Sequence, residues 1–153
     1  MDEYYNRVDL SQCSWQGWVK DEFVNRRGNA CVGQVLAAES ERARVWHLRL
    51  PPGERIPFHT HVLDYFWTCL SGGSAKSHVA LPGKFEMTEF DLIPGSTRFE
   101  NFARGTFKTH DLENIGDIEL VFVTVEFLQS ANTPLPTPQA VRRAADDYTL
   151  RRY

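Results

Sequence analysis

Glycine and proline turns punctuate the middle of this chain at short intervals: PPG at residues 51–53, SGG at 71–73, LPG at 81–83, IPG at 93–95, ARG at 103–105 and NIGD at 114–117. Between and beside them stand short apolar runs, ARVWHLRL, DYFWTCL, AKSHVAL, KFEMTEFDLI, TFKTHDLEN and IELVFVTVEFL. Their lengths, and their Val, Phe, Trp and Thr content, suit the pleated, half-buried surface of a strand better than a helix. Many short strands separated by such turns make a sandwich or a barrel. The expected fold class is all-β, with the barrel core over about residues 30–128.

The last run places Val121, Val123, Val125 and Phe127 on one face and Leu120 and Phe122 on the other, which predicts a strand buried on both sides. SANTPLPTP then leaves the barrel, and an extension over 129–153 is expected to end in a short helix with Thr137 as N-cap and Pro138 at its first position. Near the start, SWQGWVKDEFVNRRGN reads either as a helix or as an arm wrapping the barrel, because Gly17 between Trp15 and Trp18 is compatible with both.

A chain of 153 residues fits one domain, 1–153, and its 42% hydrophobic and 24% charged residues are those of a globular protein. A net charge of −3 creates no strong field, and no block of Lys or Arg suggests attraction to nucleic acid or a membrane surface. The expected partner is therefore a small molecule. The start, MDEYYNRVDLSQCSW, is acidic and polar where a secretory leader is basic and then apolar, so cytoplasmic residence is expected. Cys13, Cys31 and Cys69, odd in number and without CxxC spacing, read as free thiols, with Cys69 a small buried hydrophobe.

Within FHTH, strand alternation turns His59 and His61 to the same side, their Cα atoms roughly 6–7 Å apart, a spacing that suits one metal ion. Five histidines in this length produce such a pair by chance about once in eight sequences. The setting adds weight: a Pro-Gly turn precedes the pair and a Gly-Gly turn closes the stretch.

The stretch PPGERIPFHTHVLDYFWTCLSGG resembles the first motif of the cupin superfamily, G-x5-H-x-H-x3,4-E-x6-G, through Gly53, His59, His61 and Gly72. Tyr65 stands where that motif has its glutamate, as in small single-domain cupins with an HxHxxDY-type sequence. HDLEN resembles the end of the second motif, with His110 and Asn114 at the right separation. Pro94 lies too far upstream, so that either STRFENFARGT is an insertion or Gly105 stands in for the turn. The resemblance implies a cupin-like double-stranded β-helix, a jelly-roll barrel with a short C-terminal helix and an N-terminal arm. It also implies that His59, His61 and His110 meet as three neutral ligands of a divalent transition metal (Fe, Zn, Mn or Ni) with open positions for water or substrate. Family habit further implies a homodimer through the outer barrel sheet.

Replacing a ligand carboxylate by a neutral phenol leaves such a site with surplus positive charge, which an anionic substrate would balance. Tyr65 is then either a hydrogen-bond donor or proton carrier, hence the candidate catalytic residue, or an ordinary strand aromatic. Parity sets Asp64 on the opposite face, as a turn-facing or surface carboxylate. Glu86, Glu100 and Glu126 are either remote carboxylates of the site or, the favoured reading, solvent-exposed. His47 and His78 read as surface or supporting residues, and Phe58, Phe66 and Trp67 as core, with Phe58 and Phe66 opposite in parity to the histidines. Arg98 and Arg104 either reach the pocket mouth, where a guanidinium would pair with a carboxylate, or are solvated. The favoured function is a metal-dependent enzyme (dioxygenase, isomerase or lyase) acting on a small organic acid. The alternatives are a non-catalytic ligand-binding barrel, with or without metal, and a purely structural protein.

Overall fold

The computed structural model describes residues 3–142. Among them the turns separate nine strands: β1 Val35–Glu39, β2 Ala43–Leu50, β3 Arg55–His61, β4 Tyr65–Cys69, β5 Gly73–Leu81, β6 Lys84–Leu92, β7 Ser96–Glu100, β8 Lys108–Asn114 and β9 Leu120–Phe127. They form two antiparallel sheets, one in the order β1-β2-β9-β4-β7 and the other β3-β8-β5-β6. Sequence neighbours β3 and β4 lie in different sheets, so the chain crosses the sandwich at the Val62–Asp64 corner. This crossing and its counterparts wind the two sheets into the expected double-stranded β-helix.

One end of the interior is filled by Leu48, Leu50, Ile56, Cys69, Ala75, Leu112, Leu120 and Phe122. Along β9, Leu120, Phe122, Thr124 and Glu126 are buried, while Val121, Val123, Val125 and Phe127 are only half-buried. Burial on both faces is thus corrected: the β9 residues facing outward are partly open, because the one α-helix among the described residues packs on β3 of the other sheet. The three cysteines are free thiols, and Cys69 is fully buried.

That helix, α1 (Gly17–Arg26), settles the ambiguity near the start. Val19 and Phe23, four residues apart and so on one face, pack with Trp15 against Phe58, Ala80 and Phe85. Ten residues are too few for a stable isolated helix, so this packing supports it. Phe58 is core, but between sheet and helix rather than inside the barrel. After α1 the chain shields the free edge of β3, where Thr60 N donates to the Asn29 carbonyl at 2.8 Å and Asn29 Nδ2 to the Phe58 carbonyl at 3.0 Å.

The region from Pro94 to His110 also resolves. STRFE forms strand β7, and a turn at Gly105 leads into β8, so Gly105 takes the place of the missing proline turn. Asn132 braces this turn: its Oδ1 accepts from Gly105 N at 2.8 Å and its Nδ2 donates to the Val62 carbonyl at 2.9 Å. At the C-terminal end a 3-10 turn, Gln139–Val141, follows Pro138. Thr137 does not cap it, contrary to expectation; its hydroxyl instead accepts from the Arg142 guanidinium at 3.0 Å. The remainder of the expected helix lies outside the described residues.

Candidate metal centre

Strand β3 pairs with β8 through Ile56↔Leu112, then His59↔His110 and His61↔Lys108, so one extra residue sits on β3 between Ile56 and His59. This β-bulge resets the alternation. Ile56 joins the barrel interior, Phe58 faces the helix, and His59 and His61 again face inward. The bulge also turns the Pro57 carbonyl toward His59 Nδ1, 2.9 Å away. On β8, Lys108, His110 and Leu112 all line the same cavity of about 740 Å³.

The structure brings His59, His61 and His110 together. His59 Nε2 lies 3.1 Å and His61 Nε2 3.0 Å from His110 Nε2. Donors sharing one metal shell at about 2.0–2.1 Å are separated by roughly 3.0–3.4 Å, so the spacing fits a single ion. The hydrogen bonds around the rings fix their protons. His59 Nδ1–H donates to the Pro57 carbonyl, which leaves Nε2 as a lone pair. Ser77 Oγ donates to the Asp111 carbonyl at 2.6 Å, so at 3.3 Å it accepts from His110 Nδ1–H, and His110 Nε2 is also a lone pair. Two lone pairs therefore face each other across 3.1 Å and repel unless a cation or a proton lies between them.

Burial pushes all three imidazoles down, His59 to about 4 and the other two well below the usual range, so they are held neutral, the form that binds metal. His61 Nδ1 is buried without a hydrogen-bond partner among the described residues.

Tyr65 approaches from the opposite sheet, so the parity that linked it to the histidines through Asp64 does not operate across the corner. Its ring stacks on His61, with centroids 4.1 Å apart and planes at 16°, and on Phe102 from the other side. Burial, with Glu100 and Glu126 nearby, holds the phenol well above its usual range and therefore neutral. Its oxygen accepts from Lys108 Nζ at 3.4 Å. Asp64 sits half-buried in the corner, where Oδ1 accepts from Phe102 N at 2.8 Å.

The three glutamates differ from expectation. Glu126, read as exposed, is only 3% accessible; it faces inward and accepts from Trp46 Nε1 at 2.9 Å, because β9 is central in its sheet. Glu86 and Glu100 are half-buried in the cavity wall rather than free in solvent. Arg98 also lines that wall, with Nε 3.1 Å from Glu100 Oε1, whereas Arg104 is exposed on its turn. Trp67 faces the cavity, and Phe66 lies on the outer face against Phe99 and Phe127.

His47 is exposed, while His78 is buried behind the site and bonds Asp111 through Nδ1 at 2.9 Å. Asp111 also receives Arg55, which in turn grips Glu22 of α1. Sequence reading passed over Ser77, Asp111 and Lys108. Lys108 carried a usable signal, since it stands two residues before His110 and so shares its face.

No family model and no curated protein matches the chain. Solved structures similar to it include a cupin domain from Bordetella pertussis Tohama I, 26% identical, with a TM-score of 0.47 over 59% of this chain and 85% of that one. A protein with a double-stranded β-helix domain from Klebsiella pneumoniae is 24% identical, with a TM-score of 0.46 over 62% of this chain and 75% of that one. An RmlC-like cupin family protein from Methanocaldococcus jannaschii is 19% identical, with a TM-score of 0.46 over 59% and 73% respectively. On its own sheet order, its glycine turns and its converging histidines, the chain has the cupin fold, a double-stranded β-helix with a three-histidine cluster inside the barrel.

Proposed function

We propose that His59, His61 and His110 hold a divalent transition metal (Fe, Zn, Mn or Ni) and that the chain is a small metal-dependent enzyme acting on an organic acid. The observation that carries this reading is the pair of facing Nε2 lone pairs of His59 and His110, which a shared cation turns from repulsion into attraction. When bound, such an ion supplies Lewis-acid polarisation of a carbonyl or carboxylate or, if it is iron, oxygen activation; these chemistries serve the dioxygenase, isomerase and lyase classes.

The chain's own residues do the rest. The imidazoles stay neutral and are oriented by Pro57 and Ser77. Tyr65 shields one face of His61, and because its oxygen accepts from Lys108, its O–H proton is free to be donated to a substrate oxygen in the cavity. Cytoplasmic residence and a homodimer through the outer face of the five-stranded sheet belong to the same proposal. No described helix is long and apolar enough to cross a membrane.

Elemental analysis of protein purified without a histidine tag tests the reading. The expected result is about one metal per chain in the wild type and in Tyr65→Phe, with loss in both His59→Ala and His110→Ala. A wild type that stays metal-free after reconstitution would leave the ligand-binding barrel as the better account.

A further inference from the structure

We infer that Lys108 is the charge anchor of the ligand site, and that the ligand is a monocarboxylate with an apolar, ring-sized body. This rests on the organic-acid reading above and specifies it. Lys108 pairs with His61 across β3 and β8 and precedes His110 by two residues, so its stem runs along the cavity wall beside the histidines.

Its side chain is only 19% accessible, yet among the described residues its ammonium has just two contacts, both long, Tyr65 Oη at 3.4 Å and Glu100 Oε1 at 3.5 Å. An ammonium offers three donors, and charge-assisted bonds normally close to about 2.7–2.9 Å. Glu100 is also engaged by Arg98 at 3.1 Å, and Glu86 by Lys84. The charged groups of the cavity wall are thus Lys108 and Arg98 against Glu100, with Glu86 neutralised by its own lysine. Among the described residues the surplus is one cation, under-bonded, on the cavity wall that also carries the three histidines.

Away from the histidines the character of the wall changes. Trp67, Phe90, Leu92, Leu112 and Phe122 line it there, and they pack into the main core cluster. A cavity of about 740 Å³ accommodates a ring-bearing molecule with room to spare. A carboxylate bridging Lys108 Nζ and the Tyr65 hydroxyl from the cavity side would complete the bonding of the ammonium, and the remainder of the molecule would lie on apolar side chains. Acetate fills only the first of these positions, and a neutral amide of the same shape only the second.

Calorimetric titration with 3-phenylpropanoate, 3-phenylpropanamide and acetate tests this, run beside metal analysis of each protein. The wild type should bind the acid at least about tenfold more tightly than the amide or acetate. Lys108→Met should lose that preference while keeping its metal content, and Lys108→Arg should retain part of it. Glu100→Gln should tighten the acid, since it removes the anion that competes for Lys108; a merely structural ion pair would not produce a gain.

Equal binding of acid and amide by the wild type, or equal acid binding by wild type and Lys108→Met, would overturn the anchor and leave the metal proposal standing. So would a wild type that binds none of the three probes. Lys108-dependent binding by a protein that takes up no metal would do the reverse, supporting the anchor and sinking the metalloenzyme.

Discussion

Gly53 and Gly72 both hold positive φ, at 82° and 69°, but only Gly72 is crowded. A methyl group at Gly53 would meet open space, whereas at Gly72 it would lie 2.8 Å from the Leu92 carbonyl oxygen and 2.9 Å from Pro94. Gly53→Ala should therefore cost only the left-handed backbone penalty of about 1–2 kcal/mol. Gly72→Ala adds a clash with backbone and should cost about 1–3 kcal/mol more, a difference that urea unfolding would read as a lower midpoint at unchanged slope. Glu126 sets a second expectation. Burial, opposed by the Trp46 hydrogen bond and the Arg44 charge, holds its carboxyl up at about 7 against an ordinary 4.5. Below pH 4.5 both the folded and the unfolded states keep the proton. As pH rises toward 7 the unfolded chain releases it first, so this group contributes stability at acid pH that is lost through that window, by at most ~3 kcal/mol. Glu126→Gln keeps the acceptor for Trp46 and should gain on the wild type in unfolding free energy between pH 4.5 and 7; parallel curves would refute the assignment.

Helix α1 and strand β3 depend on each other. Phe23 fills the space over Phe58, with ring centroids 5.5 Å apart, and Glu22 reaches both Arg55 and the Phe58 amide. Arg55 continues to Asp111, the neighbour of His110, so the helix supports the strand pair that carries the histidines. Truncating Phe23 to Ala should cost about 3–5 kcal/mol, whereas the same truncation at exposed Val24 should stay within about 0.5 kcal/mol. Thermal unfolding of the two variants measures the contrast, and similar midpoints would mean that the helix adds little to the barrel.

For the molecule as a whole, the outer face of the five-stranded sheet is the surface on which the proposed homodimer turns. Phe99 is 64% accessible there, beside half-buried Phe66, Val123, Val125 and Phe127. Contiguous apolar area of this kind is usually covered by a partner. Val125→Glu places a charge at its centre, beside Phe66 and between Val123 and Phe127, on an outward position and should convert dimer to monomer without unfolding the barrel. Light scattering after size-exclusion chromatography reads the mass directly, and a wild type already at 17.6 kDa would remove the dimer proposal.

The recurring Gly and Pro turns, with strand-length runs between them, were enough to establish an all-β barrel, since turn chemistry and alternation are local properties of the chain. His59 and His61 were legible for the same reason, being two residues apart on one strand, and HDLEN pointed to His110 by its spacing from Asn114. Other features depended on how strands met. The bulge between Ile56 and His59 and the corner at Val62–Asp64 each break the alternation on which parity depends, so Ile56 joined the interior on the same side as His59, and Tyr65 arrived from the facing sheet, whereas Phe58 kept the side opposite the histidines that parity gives it. Whether a charged side chain is buried depends on neighbours distant in sequence, which is why Glu126, Lys108 and Asp111 acquired their places only once β4, β8 and β9 had paired. Local pattern therefore determined which elements form, and long-range pairing decided which polar groups the barrel encloses.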